Sequence, residues 1–221
     1  MSGEAAIGVV DYGMGNLRSV GKALESLGFP VIVSGSPRDL SRCRGIVLPG
    51  VGAFRDCMEN LRRQGLIPFL SDRLAEGSPF LGICLGLQVL FTESEEFGRY
   101  EGLGFLPGKV VRFPRGLSGP SPSGKKSVLK VPHMGWNQVA RVQDHPVLRG
   151  IPDGTYFYFV HSYYVSPEDP SVVACRTSYG VEFAAAVGKG NLLAVQFHPE
   201  KSQAAGLAVL SSFGRLCREA A

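Results

Sequence analysis

No apolar run in this 221-residue chain approaches the roughly 18 residues that a membrane-spanning helix needs. The opening Met1-Ser2-Gly3-Glu4 has no basic segment leading into an apolar one, so neither a span nor a secretory leader is expected. The five cysteines, Cys43, Cys57, Cys84, Cys175 and Cys217, form no CxxC pair, and their odd number suits a reducing compartment better than a disulfide framework. A cytoplasmic protein is the expectation. The four histidines, His133, His145, His161 and His198, lack HxxxH or Cys/His ligand spacing, so no metal site is expected. Charge is scarce too. With 23 basic against 19 acidic side chains the formal net charge is only +4, spread without long like-charge blocks, which argues against a nucleic-acid partner. No Pro/Ser linker divides the chain and no internal repeat is visible, so residues 1–221 are expected to form one domain with a large core.

What is present is an order of elements. Apolar runs at 6–10, 31–33, 45–48 and 80–83 read as buried strands, alternating with amphipathic stretches at 17–27 and 56–74, the latter broken near Gly65 and Pro68. Strands that are apolar throughout, separated by helices, predict an α/β fold with a mostly parallel central sheet covered on both faces. After Pro107 the segments 109–113, 136–142, 155–160, 171–176, 183–187 and 192–197 are strand-like with little helix between them. They predict a smaller antiparallel or mixed sheet in the C-terminal half. A closing helix over 204–218 carries Leu207, Leu210, Phe213 and Leu216. Residues 114–127, rich in Pro, Gly, Ser and Lys, read as a mobile basic loop.

Gly82-Ile83-Cys84-Leu85-Gly86, directly after an apolar run, has the form of a nucleophile elbow, a sharp strand-to-helix turn that presents a reactive side chain. The flanking glycines suit a strained turn where strand and helix approach closely. A thiol at the start of a helix is favoured as the attacking thiolate. Buried packing is the ordinary fate of a free cysteine, and the other four are expected to pack. Downstream, His198-Pro199-Glu200 offers a base and a carboxylate to orient it. If the strand over 192–197 continued, the two side chains would project to one side of it. Pro49-Gly50-Val51-Gly52 follows a strand at the same sheet edge and, with the Leu85 amide, is a candidate oxyanion hole. Asp11 to Asn16 has the beginning of a dinucleotide fingerprint, but Arg18 stands where the third glycine belongs, so no cofactor is expected. Tyr156, Tyr158, Tyr163 and Tyr164 read as strand packing rather than as a stacking platform.

GICLGLQ at 82–88 together with HPE at 198–200 resembles the triad-type glutamine amidotransferases over essentially the whole chain. DYGMGN at 11–16, LPGVGAF at 48–54, VPHMGWN at 131–137, FVHSYY at 159–164 and QFHPEKS at 196–202 are similar to the branch formed by glutaminase subunits of imidazole glycerol phosphate synthases. The resemblance implies a three-layer, flavodoxin-like amidotransferase fold. It implies that Cys84 attacks the side-chain amide of L-glutamine, that His198 relays the proton and that Glu200 orients His198. It also implies that Gln88 and Glu96 hold the amino-acid end of the substrate, and that Gly52, Tyr158, His161, Ser162 and Tyr163 line the pocket. The implied partner is a cyclase with a (β/α)8 barrel, faced by Asn16, Trp136 and Lys201. Without the resemblance, Asn16 reads as a helix cap, Trp136 as a core indole and Lys201 as a solvated lysine. Two other readings keep the same fold: a glutaminase serving another synthase, such as pyridoxal phosphate synthase, and a catalytically silent interaction subunit.

Overall fold

The computed structural model describes residues 6–120 and 126–220. Its first half alternates β1 (Ile7–Val10), α1 (Leu17–Ser26), β2 (Val31–Ser34), α2 (Pro37–Leu40) and β3 (Gly45–Gly50). Helices α3 (Phe54–Arg63) and α4 (Leu66–Ala75) follow, then β4 (Phe80–Cys84) and α5 (Leu85–Gln88). The expected break in the long amphipathic stretch falls at Gln64-Gly65, where Gly65 takes a left-handed φ of 66°. Pro68 sits in the first turn of α4, where its missing N–H costs no helical hydrogen bond.

The middle of the chain gives β5 (Phe91–Ser94), β6 (Tyr100–Glu101), β7 (Leu106–Arg112), β8 (Ser118–Pro120) and β9 (Lys126–Val128). The C-terminal half adds β10 (His133–Arg141), β11 (Thr155–His161), β12 (Tyr163–Pro167), β13 (Val173–Ser178), β14 (Glu182–Lys189), β15 (Leu192–Val195) and α6 (Gln203–Glu219).

A nine-stranded sheet runs β11-β10-β13-β14-β15-β4-β3-β1-β2. From β15 to β2 every pairing is parallel; from β15 outward to β11 every pairing is antiparallel. The parallel part has the doubly wound order 2-1-3-4-5 of flavodoxin-like folds. The expected smaller mixed sheet is present, and most of the late strands also extend the central sheet. The second sheet, β12-β7-β5-β6, draws two of its four strands from residues 91–101. The basic stretch is not all loop either: β8 and β9 pair as an antiparallel ribbon, while 121–125 lie outside the described residues.

Alternation of side chains along the strands divides the core in two. Val9, Val47 and Ile83 pack with Val20 and Leu24 of α1 and with Val209, Leu210 and Phe213 of α6. Val10, Ile46 and Leu48 pack on the opposite side with Leu61 of α3, Leu70 of α4 and Val110 of the smaller sheet. The buried residues of α6 are Gly206, Val209, Leu210, Ser212, Phe213, Gly214 and Cys217, so of Leu207, Leu210, Phe213 and Leu216 only the middle two are buried, and Leu207 is exposed. Strict spacing of three drifts by about 60° per step round a helix of 3.6 residues per turn, so it cannot stay on one face.

The elbow depends on absent side chains. A Cβ on Gly86 would lie 1.8 Å from the Leu48 carbonyl oxygen, and one on Gly82 would lie 2.7 Å from the Gly86 carbonyl oxygen. Gly86→Ala should therefore cost about 3 kcal/mol of stability. For a chain of this size that lowers the thermal midpoint by roughly 6–12 °C in a calorimetric scan. An unchanged midpoint would show that β3 and the elbow are not packed this tightly.

Candidate active site

Cys84 ends β4 with φ 55° and ψ −106°, a backbone conformation rarely taken by residues other than glycine. Strain of this kind at the end of a central parallel strand is what a nucleophile elbow requires. The helix behind it, α5, is one turn long, so it offers a weaker field to the sulfur than the sequence reading assumed. Cys84 pairs in register with Gly50 at the end of β3, which places the 49–52 turn beside it at the carboxyl edge of the sheet.

His198 and Glu200 arrive by a different route from the one expected. Strand β15 stops at Val195, and Pro199–Lys201 form a single 3-10 turn that swings the carboxylate back under the imidazole. His198 Nδ1 then lies 2.9 Å from Glu200 Oε1, with both side chains almost wholly buried. The His198 N–H donates to the Tyr158 carbonyl at 2.9 Å, and its own carbonyl accepts from Ser202 Oγ at 2.7 Å. These bonds fix the backbone on either side of the ring, and Glu200 holds the ring itself through Nδ1. Its Nε2 has no hydrogen-bond partner among the described residues and is left for chemistry. Burial disfavours the charged imidazole, yet Cys84 and Glu200 outweigh it and raise His198 to about 9.

Cys84 and His198 open on one cavity of about 440 Å³. Of the predicted oxyanion hole, Val51 and Leu85 line it, together with Gly52, whereas Gly50, the last residue of β3, does not. Tyr12 donates its hydroxyl to the Pro49 carbonyl at 3.0 Å, anchoring the start of that turn, while Gly52 takes φ 96°. Gln88, Glu96, His161, Ser162 and Tyr163, also predicted to line it, do so. Glu96 accepts the Phe54 N–H at 2.7 Å, and burial raises its carboxyl above the usual range despite that bond. His161 has no free nitrogen: Nδ1 faces the Tyr163 carbonyl at 2.8 Å and Nε2 faces His133 Nδ1 at 3.0 Å. Burial pushes both of these imidazoles well below their ordinary range, so they stay neutral. His161 therefore cannot replace His198 as the base.

The class I glutamine amidotransferase family matches residues 8–214. The chain is a class I glutamine amidotransferase. It is 52% identical to the imidazole glycerol phosphate synthase subunit HisH of Geobacter sulfurreducens, over 95% of this chain and 98% of that protein. It is also 52% identical to the subunit of the same name from Moorella thermoacetica, over 97% and 96%. Among solved structures, a chain of PurLQS from Thermotoga maritima aligns with TM-score 0.71 at 18% identity, covering 98% of each chain. A crystal structure of a glutamine amidotransferase aligns with TM-score 0.69 at 21% identity, covering 96% of this chain. Those two likenesses bear on the fold.

In this amidotransferase the structure does not bring Tyr158 into the cavity. Its ring stands 6.2 Å from that of Trp136, and Lys201 Nζ lies 6.0 Å from its centroid. It thus stands beside Trp136 and Lys201, two of the residues that the resemblance places toward a partner. Along β11 it is Phe157 and Phe159 that are buried, while Tyr156 is exposed, so the tyrosines are not the core side of that strand. Trp136 is 46% exposed and is not a core indole. Asn16 occupies the cap position of α1 but makes no side-chain capping bond. The sequence reading missed Pro132 and Val160, which line the cavity, and Gln196, whose amide reaches Cys84. Pro132 and Gln196 stand inside the VPHMGWN and QFHPEKS stretches; the pattern carried the signal without a role for them.

Proposed function

We propose that the chain is the glutaminase subunit of an imidazole glycerol phosphate synthase, a single amidotransferase domain that hydrolyses L-glutamine and passes ammonia to a cyclase subunit. The observation that carries this reading is the buried His198–Glu200 pair, held at 2.9 Å and opening with Cys84 on one cavity. The 52% identity to HisH subunits over nearly the whole chain supports the choice of synthase over other glutaminases.

The cavity suggests this sequence of events. The Cys84 thiolate attacks the side-chain amide carbon, and the C=O electron pair moves onto oxygen, which the amides of Gly50, Val51 and Leu85 are proposed to receive. His198 delivers a proton to the leaving nitrogen, the C–N bond breaks, and ammonia departs from a thioester. His198 then takes a proton from water, whose oxygen attacks the thioester, and glutamate leaves as Cys84 is restored. Glu200 holds the imidazole in the tautomer that presents Nε2. Gln88 and Glu96 take the amino-acid end of the substrate, against a wall made by Gly52, His161, Ser162 and Tyr163. The reaction needs neither metal nor cofactor.

Ammonia released to water would be protonated and lost, so the acceptor has to dock over the cavity. Asn16, Trp136, Lys201 and, from the structure, Tyr158 are the residues proposed to face a (β/α)8-barrel cyclase. No helix among the described residues is long and apolar enough to cross a membrane, and all five cysteines are free and buried, which fits a cytoplasmic location. The 49–52 turn carries two glycines, so its amides can be reoriented when docking favours that state. Glutamate formation should rise from the free chain to the complex, and again when the cyclase binds its nucleotide ligand. Equal rates in all three states would remove the coupling, and no glutamate in any of them would remove the function.

A further inference from the structure

Gln196 lies between β15 and the His198 turn and is fully buried. Its orientation follows by elimination. The Tyr163 carbonyl can only accept, so the amide nitrogen of Gln88 is the atom that faces it at 3.0 Å. The same nitrogen lies 3.1 Å from Gln196 Oε1, which takes its second hydrogen. Gln196 is thereby obliged to turn its own amide nitrogen toward Cys84 Sγ, 3.5 Å away. On the other side, Sγ lies 4.0 Å from the Val160 carbonyl, which can take a hydrogen bond only from the neutral thiol. The nearer contact favours the opposite state: an amide N–H bonds more strongly to a thiolate than to a thiol.

We infer that Gln196 is a positioning residue that holds the sulfur of Cys84 as thiolate, and that Gln88 enforces this by locking the Gln196 amide in its donating orientation. The inference rests on the reading of Cys84 as the nucleophile. It gives Gln88 a second duty besides substrate, because both its N–H groups are used inside the protein and only its Oε1 remains for glutamine. The polar line from Tyr163 through Gln88 and Gln196 also ties the wall of the cavity to the charge state of the sulfur.

The test is the pH dependence of Cys84 alkylation by iodoacetamide in the full-length chain, followed by mass spectrometry of the peptide that carries Cys84. No glutamine is needed, so the readout is independent of turnover. Gln196→Met removes the donor at similar volume and should move the midpoint up by about one pH unit, a tenfold slower reaction below it. Gln196→Glu sets a carboxylate against the sulfur and should move it further. Gln88→Met does not touch the sulfur, yet it frees the Gln196 amide to turn its oxygen inward and should give a smaller upward shift. A merely structural role would reduce the yield of folded protein and leave the midpoint where it is in the wild type. Unchanged midpoints in the folded variants overturn the inference, and Gln88→Met decides alone if the changes at 196 do not fold. The nucleophile reading fails separately, if wild-type chain alkylated only at Cys84 still forms glutamate in the complex.

Discussion

Cys84→Ala should abolish glutamine hydrolysis, by roughly 10⁶-fold or to the limit of detection, because no other group in the cavity can form the acyl intermediate. The other cysteines are no substitute: burial pushes the Cys57, Cys175 and Cys217 thiols up to about 12, and none of the three lines the cavity. The variant should fold and dock normally, since alanine keeps the Cβ and relieves nothing that packing needs. Synthesis by the complex fed with ammonium salt should persist, because the acceptor site is on the other chain. Steady-state glutamate release, with synthesis from glutamine and from ammonia measured in parallel, checks both halves. Loss of the ammonia-fed reaction as well would mean that Cys84 maintains the assembly instead of performing the chemistry.

Loss of His198 should cost nearly as much as loss of Cys84, and Glu200→Gln less, about 10³- to 10⁴-fold, because the carboxylate orients and charges the ring without touching substrate. The pH profile separates these roles. Glu200 is one of the groups that hold His198 up at about 9, so the wild type should keep its proton donor for the leaving ammonia until the pH approaches that value. Glu200→Gln removes one of those charges, and the alkaline limb of kcat/KM should move to lower pH. Stability follows the same proton. A folded-state value above the ordinary 6.5 means that the contribution of His198 is fully present below 6.5 and is lost as pH rises toward about 9. Thermal midpoints should accordingly fall across that window in the wild type and fall less in Glu200→Gln. Identical profiles in the two proteins would leave Glu200 without the charging role.

How much of this was legible in the chain depends on distance along it. The elbow could be read because its requirements are local: two glycines around a cysteine after an apolar strand, each needed where a Cβ would strike backbone. The pairing of His198 with Glu200 could be read from their spacing, but the geometry could not. Extended chain would have placed them on one side of a strand, whereas Pro199 opens a 3-10 turn and the contact is made through it. The parallel character of the central sheet followed from strand-helix alternation, and its flavodoxin-like order from the family resemblance. The antiparallel extension did not, because the union of β14 with β15 is a matter of register between segments whose apolar pattern looks the same in either sheet. Tyr158 was misplaced because only the end of β11 reaches the cavity: Val160, on the same face of the strand, and His161 line it, while Tyr158, two residues earlier, does not. Gln196 was invisible, since its role depends on amides contributed by residues 88 and 163, far away in sequence.

Labelling with an electrophilic analogue of glutamine tests the central claim most directly. The analogue keeps the amino-acid end and carries a carbon electrophile in place of the side-chain amide. Peptide mapping of the inactivated complex should find one equivalent of label, all of it on Cys84, with loss of glutaminase activity in proportion and protection by glutamine. Inactivation with the label elsewhere, or full labelling of Cys84 with glutamate release unimpaired, would contradict it.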